Sequence, residues 1–168
     1  MKMILSDRDL ELSLPDKVEF IDLSTKKIAT CLGCFNCWVK TPGKCIIRDD
    51  ATKVYPKIAQ SDNIIYISKV KYGSYDLTMK TMLERAIPIQ QAFIRLHNNE
   101  THHVQRNVAL KKAIIIAYGD ISNEEKQIFS MLVDRNSHNM NFESHKIIFT
   151  SEDDLANVVE SEILKWKK

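Results

Sequence analysis

The chain has 168 residues, with 24 lysines and arginines against 22 aspartates and glutamates, and a formal net charge of +2. This length suits a single domain, and the balanced charge gives no electrostatic reason to expect nucleic acid as the partner. A small molecule is therefore the expected partner. Charges near the start exclude a secretory signal, and no apolar run reaches membrane length, so we expect a cytoplasmic protein with no membrane partner.

Short apolar runs alternate along the chain with stretches of helical periodicity. Five of these runs predict β-strands, at residues 1–5, 18–23, 63–68, 111–119 and 145–151. Two of them, at 64–67 and 114–117, are continuously apolar, which is typical of central parallel strands covered on both faces. The intervening patterns predict helices at residues 50–60, at 75–96 with an interruption at Pro88, at 123–135 and after Ser151.

This alternation predicts an α/β fold with helices on both faces of a sheet. The expected architecture is a flavodoxin-like, doubly wound sheet of five parallel strands in the order 2-1-3-4-5, in one domain over residues 1–168. Ligands of such sheets bind beyond the carboxyl ends of the strands. That edge comprises residues 6–8, the cysteine segment (31–45), residues 69–76 and residues 118–120.

All four cysteines lie in one segment with the spacing C-x2-C-x2-C-x7-C, at Cys31, Cys34, Cys37 and Cys45. The first three could be presented by one turn, and Pro42-Gly43 can turn the chain so that Cys45 joins them. Four thiolates suffice for a [4Fe–4S] cluster. Zinc fits less well, because its usual paired knuckles are separated by a longer loop, and four free thiols are the third interpretation. The spacing leaves all three open.

Two stretches resemble a known family. Residues 31–50, CLGCFNCWVKTPGKCIIRDD, and residues 72–88, YGSYDLTMKTMLERAIP, resemble the flavodoxin-like NADPH-dependent FMN reductases and iron-sulfur flavoproteins. Residues 100–106 are similar to one branch of that family. The resemblance implies FMN as cofactor and NAD(P)H as electron donor. It also implies a flavin ring held by the loops after the third and fourth strands, at Lys69, Val70, Lys71, Tyr72, Gly73, Ser74, Tyr75, Tyr118, Gly119 and Asp120.

The segment between the first two strands departs from that family. Typical members have a Gly/Ser-rich phosphate loop and a full helix there, whereas residues 6–17, SDRDLELSLPDK, contain no glycine and are about as short as a parallel crossover allows. Asp7 and Asp9 would repel a phosphate dianion, and Arg8 offers only partial relief. We therefore expect a shortened first crossover and weak or absent anchoring of the FMN phosphate.

Other polar residues carry no catalytic assignment. Adjacent His102 and His103 point apart on any regular element, and no ligand with good spacing lies beside them, so they predict surface or packed histidines. Lys80, Glu84 and Arg85 are expected on one helix face. No side chain is assigned as an acid or base.

Two functional hypotheses follow. The first is an FMN-dependent oxidoreductase that moves electrons from a nicotinamide through the flavin to a small-molecule acceptor. The alternative is a non-enzymatic relative that has lost flavin binding and acts as a redox-sensing or interaction protein. The missing phosphate loop favours the alternative, and the retained ring loops favour the oxidoreductase.

The absent first helix also bears on packing and assembly. It would leave one sheet face bare, and we expect the alternating Leu10, Leu12 and Leu14 to cover part of that face. Residues 75–96 contain more apolar side chains than one helix face usually buries. Since members of the resembled family commonly pair through this region, we expect a homodimer through about residues 72–106.

Overall fold

Five parallel strands form the central sheet in the computed structural model, which describes residues 1–97 and 99–167. In sheet order they are β2 (Val18–Asp22), β1 (Lys2–Ser6), β3 (Asn63–Lys71), β7 (Lys111–Tyr118) and β8 (Phe142–Thr150). All neighbouring pairs run parallel, which confirms the predicted order 2-1-3-4-5. A short strand, β4 (Ser74–Tyr75), folds back antiparallel onto the end of β3.

Helices connect these strands. They are α1 (Asn36–Val39), α2 (Ala51–Gln60), α3 (Leu77–Glu84), α4 (Asn123–Asn139) and α5 (Leu155–Leu164), with 3-10 turns at Ile87–Ile89 and Lys165–Lys167. The predicted capping box at the start of α4 is present, since Ser122 accepts from the Glu125 N–H and Glu125 accepts from the Ser122 N–H. None of the described helices is long and apolar enough to cross a membrane.

The predicted helix over residues 75–96 is wrong beyond Pro88. The chain instead forms a β-hairpin from β5 (Gln90–His97) and β6 (Glu100–Gln105), paired antiparallel. Asn99 has φ 61°, the left-handed conformation that asparagine tolerates and that hairpin turns require. The helix already ends at Glu84, and Pro88 lies in a 3-10 turn after it. The residues beyond this turn pair as strands, so Phe93 and Ile94 do not continue the helical pattern.

Alternate residues of each strand enter two separate cores. On one face Met3, Leu5, Ile64 and Tyr66 pack beneath α2, α3 and α4. On the other face Ile4, Ile65 and Ile67 join residues of α5. Because both faces of the central strands are covered, their sequences are continuously apolar.

The first crossover is an irregular segment without a helix, as its length predicts. Leu10 and Leu12 are half-buried and pack with α5 over the second core, so they cover part of the face that a first helix would occupy. Leu14 differs from the prediction, because its side chain is exposed. The segment turns at Pro15, whose carbonyl accepts the Val18 N–H.

Candidate functional site

A tight hairpin forms the first predicted loop at the carboxyl edge of the sheet. Lys71 pairs with Ser74, so only Tyr72 and Gly73 form the turn, and both have positive φ, at 53° and 68°. Two consecutive left-handed residues are the signature of a type I′ turn. The Tyr72 side chain is 93% exposed, which leaves an aromatic surface standing free at this edge.

The end of β1 carries a buried carboxylate that joins three strands. Asp7 accepts the Lys69 N–H at 2.7 Å and the Tyr118 hydroxyl at 2.9 Å. Around it, Arg8 and Lys69 both pair with Glu152, which lies just before α5. The guanidinium of Arg8 lies 5.7 Å from the centre of the Tyr118 ring. These contacts bring the first residues of both predicted loops, Lys69 and Tyr118, to one point.

The charges around Asp7, at the end of β1, disfavour binding of a phosphate group. Burial raises the pKa of Asp7 above its usual 3.8, although hydrogen bonds from Lys69 and Tyr118 act in the opposite direction. Burial, followed by the charge of Asp7, also raises the pKa of Tyr118 and keeps its hydroxyl a donor. Because the cations here are already paired with Glu152, the end of β1 has no free positive charge for a phosphate among the described residues, and the fit is poor.

All four cysteines surround one small cavity. Cys31, Cys34, Cys37 and Cys45 line it together with Arg85. The chain bends sharply between them, with φ 62° at Gly33 and 54° at Phe35, just before the one-turn helix α1. Burial raises the pKa of the Cys37 thiol, and the neighbouring Cys45 and Cys31 raise it further. Mutual repulsion of this kind is the condition that a bound cation relieves.

The separation of the sulfurs bears on which group they could hold. Among the described residues, no three cysteine sulfurs lie within 4.8 Å of one another. A single zinc ion with Zn–S bonds of about 2.3 Å needs sulfurs roughly 3.8 Å apart. A four-iron cluster is larger and takes one thiolate at each iron. The four-thiol donor set around one cavity therefore fits a cluster better than a single zinc.

Arg85 organises the cysteine segment, a role that the sequence analysis missed. Its side chain is only 1% exposed and forms a two-pronged pair with Asp49, at 2.7 and 2.9 Å. It also donates to the Ala29 carbonyl at 2.7 Å and to the Cys45 sulfur at 3.5 Å. One guanidinium thus holds both ends of the segment. The available signal was Asp49, which belongs to the family-like stretch and needs a buried partner.

Asp49 completes this anchor. Its carboxylate also accepts the N–H groups of Ala29 at 2.8 Å and Ala51 at 3.2 Å. Burial alone would raise the pKa of Asp49, but the hydrogen bonds from Arg85 and Ala29 outweigh it, and the pKa is lowered. The carboxylate is therefore charged at neutral pH and fixes the start of α2 beside the cysteines.

A larger cavity of about 600 Å³ opens between the cysteine segment, α3 and α4. Cys31 and Gly33 line one side, and Ser74 and Tyr75 of the carboxyl-edge hairpin line another. Its walls are rich in aromatic and polar side chains, including Trp38, Tyr66, His103, Asn136 and Phe142. Cys31, Gly33 and Ile87 line both cavities, so the large cavity lies directly beside the cysteine cavity.

The floor of this cavity contains an unpaired hydroxyl. Tyr66 lies on β3 and is 2% exposed, and its hydroxyl has no hydrogen-bond partner among the described residues. Burial raises the pKa of Tyr66, so the hydroxyl keeps its proton. A buried unpaired donor is costly, and a ligand with an acceptor atom in this cavity would satisfy it.

The remaining predicted residues are divided between these features. Val70 is buried under the hairpin, and Lys71 pairs with Asp76 at 3.0 Å. Gly119 has φ 127° and lies against the Lys69 side chain, and Asp120 is exposed. The two predicted ring loops therefore meet at the carboxyl edge, while only Ser74 and Tyr75 also face the large cavity.

Comparison with known proteins connects the chain to redox proteins. No family model matches it. An iron-sulfur flavoprotein of Methanocaldococcus jannaschii is 35% identical over 77 residues, which are 46% of this chain and 39% of that protein. An iron-sulfur flavoprotein of Archaeoglobus fulgidus is 38% identical over 72 residues, or 43% of this chain and 32% of that protein. The match thus spans less than half the length of these curated relatives.

Solved structures extend the likeness to the whole fold. An FMN-dependent NADH-azoreductase from Bacillus anthracis, in complex with FMN, superposes with a TM-score of 0.58. The superposition covers 99% of this chain and 97% of that one, at 10% sequence identity. Agreement of the backbone at so low an identity establishes the α/β fold with its mainly parallel sheet.

Proposed function

We propose that this chain is a flavin-dependent oxidoreductase with FMN as cofactor and NAD(P)H as electron donor, because part of it is similar to iron-sulfur flavoproteins and its fold is similar to that of an FMN-dependent azoreductase. When bound, FMN supplies hydride acceptance from the nicotinamide and electron transfer to a small-molecule redox acceptor. The observation that supports this function best is the large cavity. It lies between Ser74 and Tyr75 of the ring loop and Cys31 and Gly33 of the cysteine segment.

In this proposal the two loops at the carboxyl edge hold the flavin ring. Residues 69–75 offer the exposed Tyr72 ring and the backbone of a rigid two-residue turn. Residues 118–120 offer a turn at Gly119, whose φ of 127° only glycine adopts readily. The fixed geometry of both turns favours binding, because little backbone entropy is lost when the ring docks.

The flavin phosphate has no comparable site after β1, where Asp7 and Glu152 occupy the position. We therefore propose that the chain recognises the flavin mainly through its ring. Riboflavin lacks the phosphate. Because no strong phosphate contact is expected here, riboflavin should bind within about tenfold of FMN, a difference in binding free energy of no more than about 1.4 kcal/mol.

We propose further that Cys31, Cys34, Cys37 and Cys45 hold a [4Fe–4S] cluster, which when bound supplies one-electron transfer. The protein contributes hydrogen bonds to the sulfurs. Arg85 donates to the Cys45 sulfur at 3.5 Å, and Asn36 donates to the Cys34 sulfur at 3.4 Å. Donors of this kind raise the reduction potential of a cluster, because they stabilise the added electron.

A visible spectrum of anaerobically purified protein tests the cofactors directly. We expect flavin absorption, together with iron and sulfide that disappear in Cys34→Ala. Titration of FMN and riboflavin into flavin-free protein should quench flavin fluorescence with similar affinities. Tyr72→Ala should weaken binding about 2- to 10-fold through lost stacking. The control, Leu110→Ala, removes an exposed apolar side chain before β7, at the opposite edge of the sheet, and should leave binding unchanged.

A non-enzymatic relative without flavin is the second candidate, and the Asp7 network favours it. Asp7 binds both Lys69 and Tyr118 at the carboxyl edge of the sheet, where the two predicted ring loops meet. If neither flavin quenches at high protein concentration, this candidate stands and the oxidoreductase proposal fails. The iron analysis then decides separately whether the cysteines still form a redox centre.

A further inference from the structure

Three histidines and a glutamate meet where the β5–β6 hairpin contacts the end of α4. His97, Glu100 and His102 come from the hairpin, and His138 comes from the last turn of α4. The rings of His102 and His138 are stacked, with centres 5.4 Å apart and planes 8° from parallel. His97 approaches both rings edge-on, at 6.0 and 6.5 Å. The sequence could not indicate this set, because His138 lies far along the chain.

The distances within this cluster suit a metal ion. One ligand atom each from Glu100, His102 and His138 lie within 4.8 Å of one another, a condition that no other such set among the described residues meets. Bonds of about 2 Å to nitrogen and oxygen would require these atoms to be roughly 3.3 Å apart. To bind one ion, these atoms would have to approach by side-chain rotation. One of the two stacked rings would also have to turn, because the lone pair of an imidazole nitrogen lies in the plane of its ring.

The hydrogen bonds of His102 leave one ring nitrogen facing the carboxylate. Its Nδ1 lies 3.4 Å from the Asn139 side-chain oxygen, which can accept only if that nitrogen carries a proton. The tautomer that donates Nδ1–H to Asn139 presents its Nε2 lone pair toward the Glu100 carboxylate, 2.9 Å away. In that tautomer both atoms can serve as ligands to one metal ion. Metal-ligating histidines are commonly oriented by such a second partner.

Charge around the cluster keeps the ligands available. Arg135 forms a two-pronged pair with Glu100, at 2.9 Å to each carboxylate oxygen, and the Oε2 atom also lies 2.9 Å from Nε2 of His102. A metal ion at Oε2 would replace one prong of this pair, and Arg135 could remain on Oε1. Among the described residues, the ring nitrogens of His97 and His138 have no hydrogen-bond partner. Their lone pairs are free in the neutral state.

We propose that Glu100, His102 and His138 bind one divalent transition-metal ion of the zinc class, with His97 or water as the fourth ligand. Imidazole nitrogen with carboxylate oxygen is a donor set for Zn²⁺, Co²⁺ or Ni²⁺, whereas Mg²⁺ and Ca²⁺ prefer oxygen alone. This site is separate from the four cysteines and independent of the flavin proposal.

The metal would tie the hairpin to α4. Apart from this cluster, the Gln90 and Gln105 side chains donate to the Asn139 carbonyl, at 2.9 and 3.1 Å. Asn139 also lines the large cavity, as does His103 of the hairpin. A bound ion therefore fixes one wall of that cavity, and its role is structural rather than catalytic.

Cobalt titration of the chelator-treated protein, followed by absorption spectroscopy, tests the site. Ligands of nitrogen and oxygen give weak visible bands without the intense thiolate charge-transfer bands of cysteine ligation, so the two sites are distinguished in one spectrum. We expect one such thiolate-free ion per chain, displaced by Zn²⁺. His102→Ala and His138→Ala should each weaken it more than about 100-fold, and Asn139→Ala about 10- to 100-fold.

His145→Ala is the matched control, because this exposed histidine lies on β8 outside the cluster. Its cobalt spectrum should equal that of the unchanged protein. Circular dichroism checks folding, and His138→Gln provides a milder substitution if His102→Ala does not fold. Thiolate-free cobalt that persists in both His138 variants would overturn the proposal, as would failure of the unchanged protein to bind cobalt without thiolate bands.

Discussion

Arg85 is the residue on which the cysteine segment depends most. Replacing it with methionine would leave Asp49 as an unpaired carboxylate in a largely buried position and would release the Ala29 carbonyl. Breaking a buried ion pair from one side typically costs about 3–5 kcal/mol. We expect Arg85→Met to lower the free energy of unfolding, measured with urea, by that amount.

Lys57→Met is the control for this prediction. Lys57 pairs with Glu19 at the surface, with both side chains more than a third exposed, and an exposed pair is worth less than about 1 kcal/mol. Equal losses in the two variants would mean that Arg85 is not an anchor. A loss of bound iron in Arg85→Met alone would connect the anchor to the cysteine cavity.

The raised pKa of Asp7 predicts that the free energy of unfolding depends on pH in an unusual direction. Burial raises its folded-state pKa above the unfolded value of 3.8. The stability contributed by protonated Asp7 is therefore fully present below pH 3.8 and is lost as the pH rises through the folded pKa. Asparagine cannot ionise and can still accept from Lys69 and donate to the Tyr118 oxygen. We expect Asp7→Asn to become more stable relative to the unchanged protein between about pH 4 and about pH 7.

Parallel urea unfolding of the two proteins at both pH values measures this difference. Asp120→Asn changes an exposed carboxylate at the same edge of the sheet and should leave the difference flat. A difference for Asp7→Asn that does not change with pH would show that the carboxylate has an ordinary pKa in the folded protein.

Among the local elements, the Tyr72-Gly73 turn requires glycine at its second position, both for its backbone conformation and for lack of space. Gly73 has φ 68°, and a Cβ there would lie 2.6 Å from the Cγ2 of Ile128 on α4. The left-handed conformation alone costs alanine about 1–2 kcal/mol, and the clash adds to it. We expect Gly73→Ala to destabilise the protein by about 2–4 kcal/mol in thermal or urea unfolding.

The variant Gly33→Ala distinguishes the backbone cost from the steric clash. Gly33 has φ 62°, but no atom lies within 4 Å of the position that a Cβ would take. Gly33→Ala should therefore show only the backbone cost of about 1–2 kcal/mol. Adding Ile128→Ala to Gly73→Ala should recover part of the larger loss. Equal effects of the two single variants, with no recovery, would contradict a contact between the turn and α4.

At the scale of the whole molecule, the hairpin surface remains the proposed dimer contact. On β5 the side chains of Phe93, Ile94 and Leu96 are 72%, 65% and 76% exposed, and Ile94 and Leu96, two residues apart, lie on the same face of the hairpin. Of the apolar side chains in residues 75–96, Met79 and Met82 are fully buried in the core and do not contribute to this surface. Clustered apolar groups of this kind are costly in water and typical of interaction sites. We therefore propose a homodimer through about residues 72–106.

Sedimentation at micromolar concentration checks the assembly. We expect a dimer of the 19.4 kDa chain that Phe93→Glu combined with Leu96→Glu converts to a monomer. Leu164→Glu places the same charge on an exposed apolar position of α5 and should leave the dimer intact. A monomer for the unchanged protein at every concentration would remove this contact.

Local patterns were enough to predict the sheet. The continuous apolar runs of β3 and β7 can be satisfied only between two covered faces, and parallel strands joined by short crossovers leave few strand orders. The same logic predicted that the shortened first crossover would place Leu10 and Leu12 over the bare face. It failed after Pro88, where apolar spacing suited both a helix and a strand, and the asparagine turn selected the hairpin.

By itself the sequence determined the strand order, the shortened crossover and the closeness of the four cysteines, because each follows from periodicity or spacing along neighbouring residues. Only the tertiary structure decided the partners of Arg85, Asp7 and His102. Each of these side chains is paired with a residue from another element, brought near by packing of the whole chain. A charged side chain or an imidazole in the sequence indicates that a partner is needed, but which residue becomes that partner depends on which elements pack together.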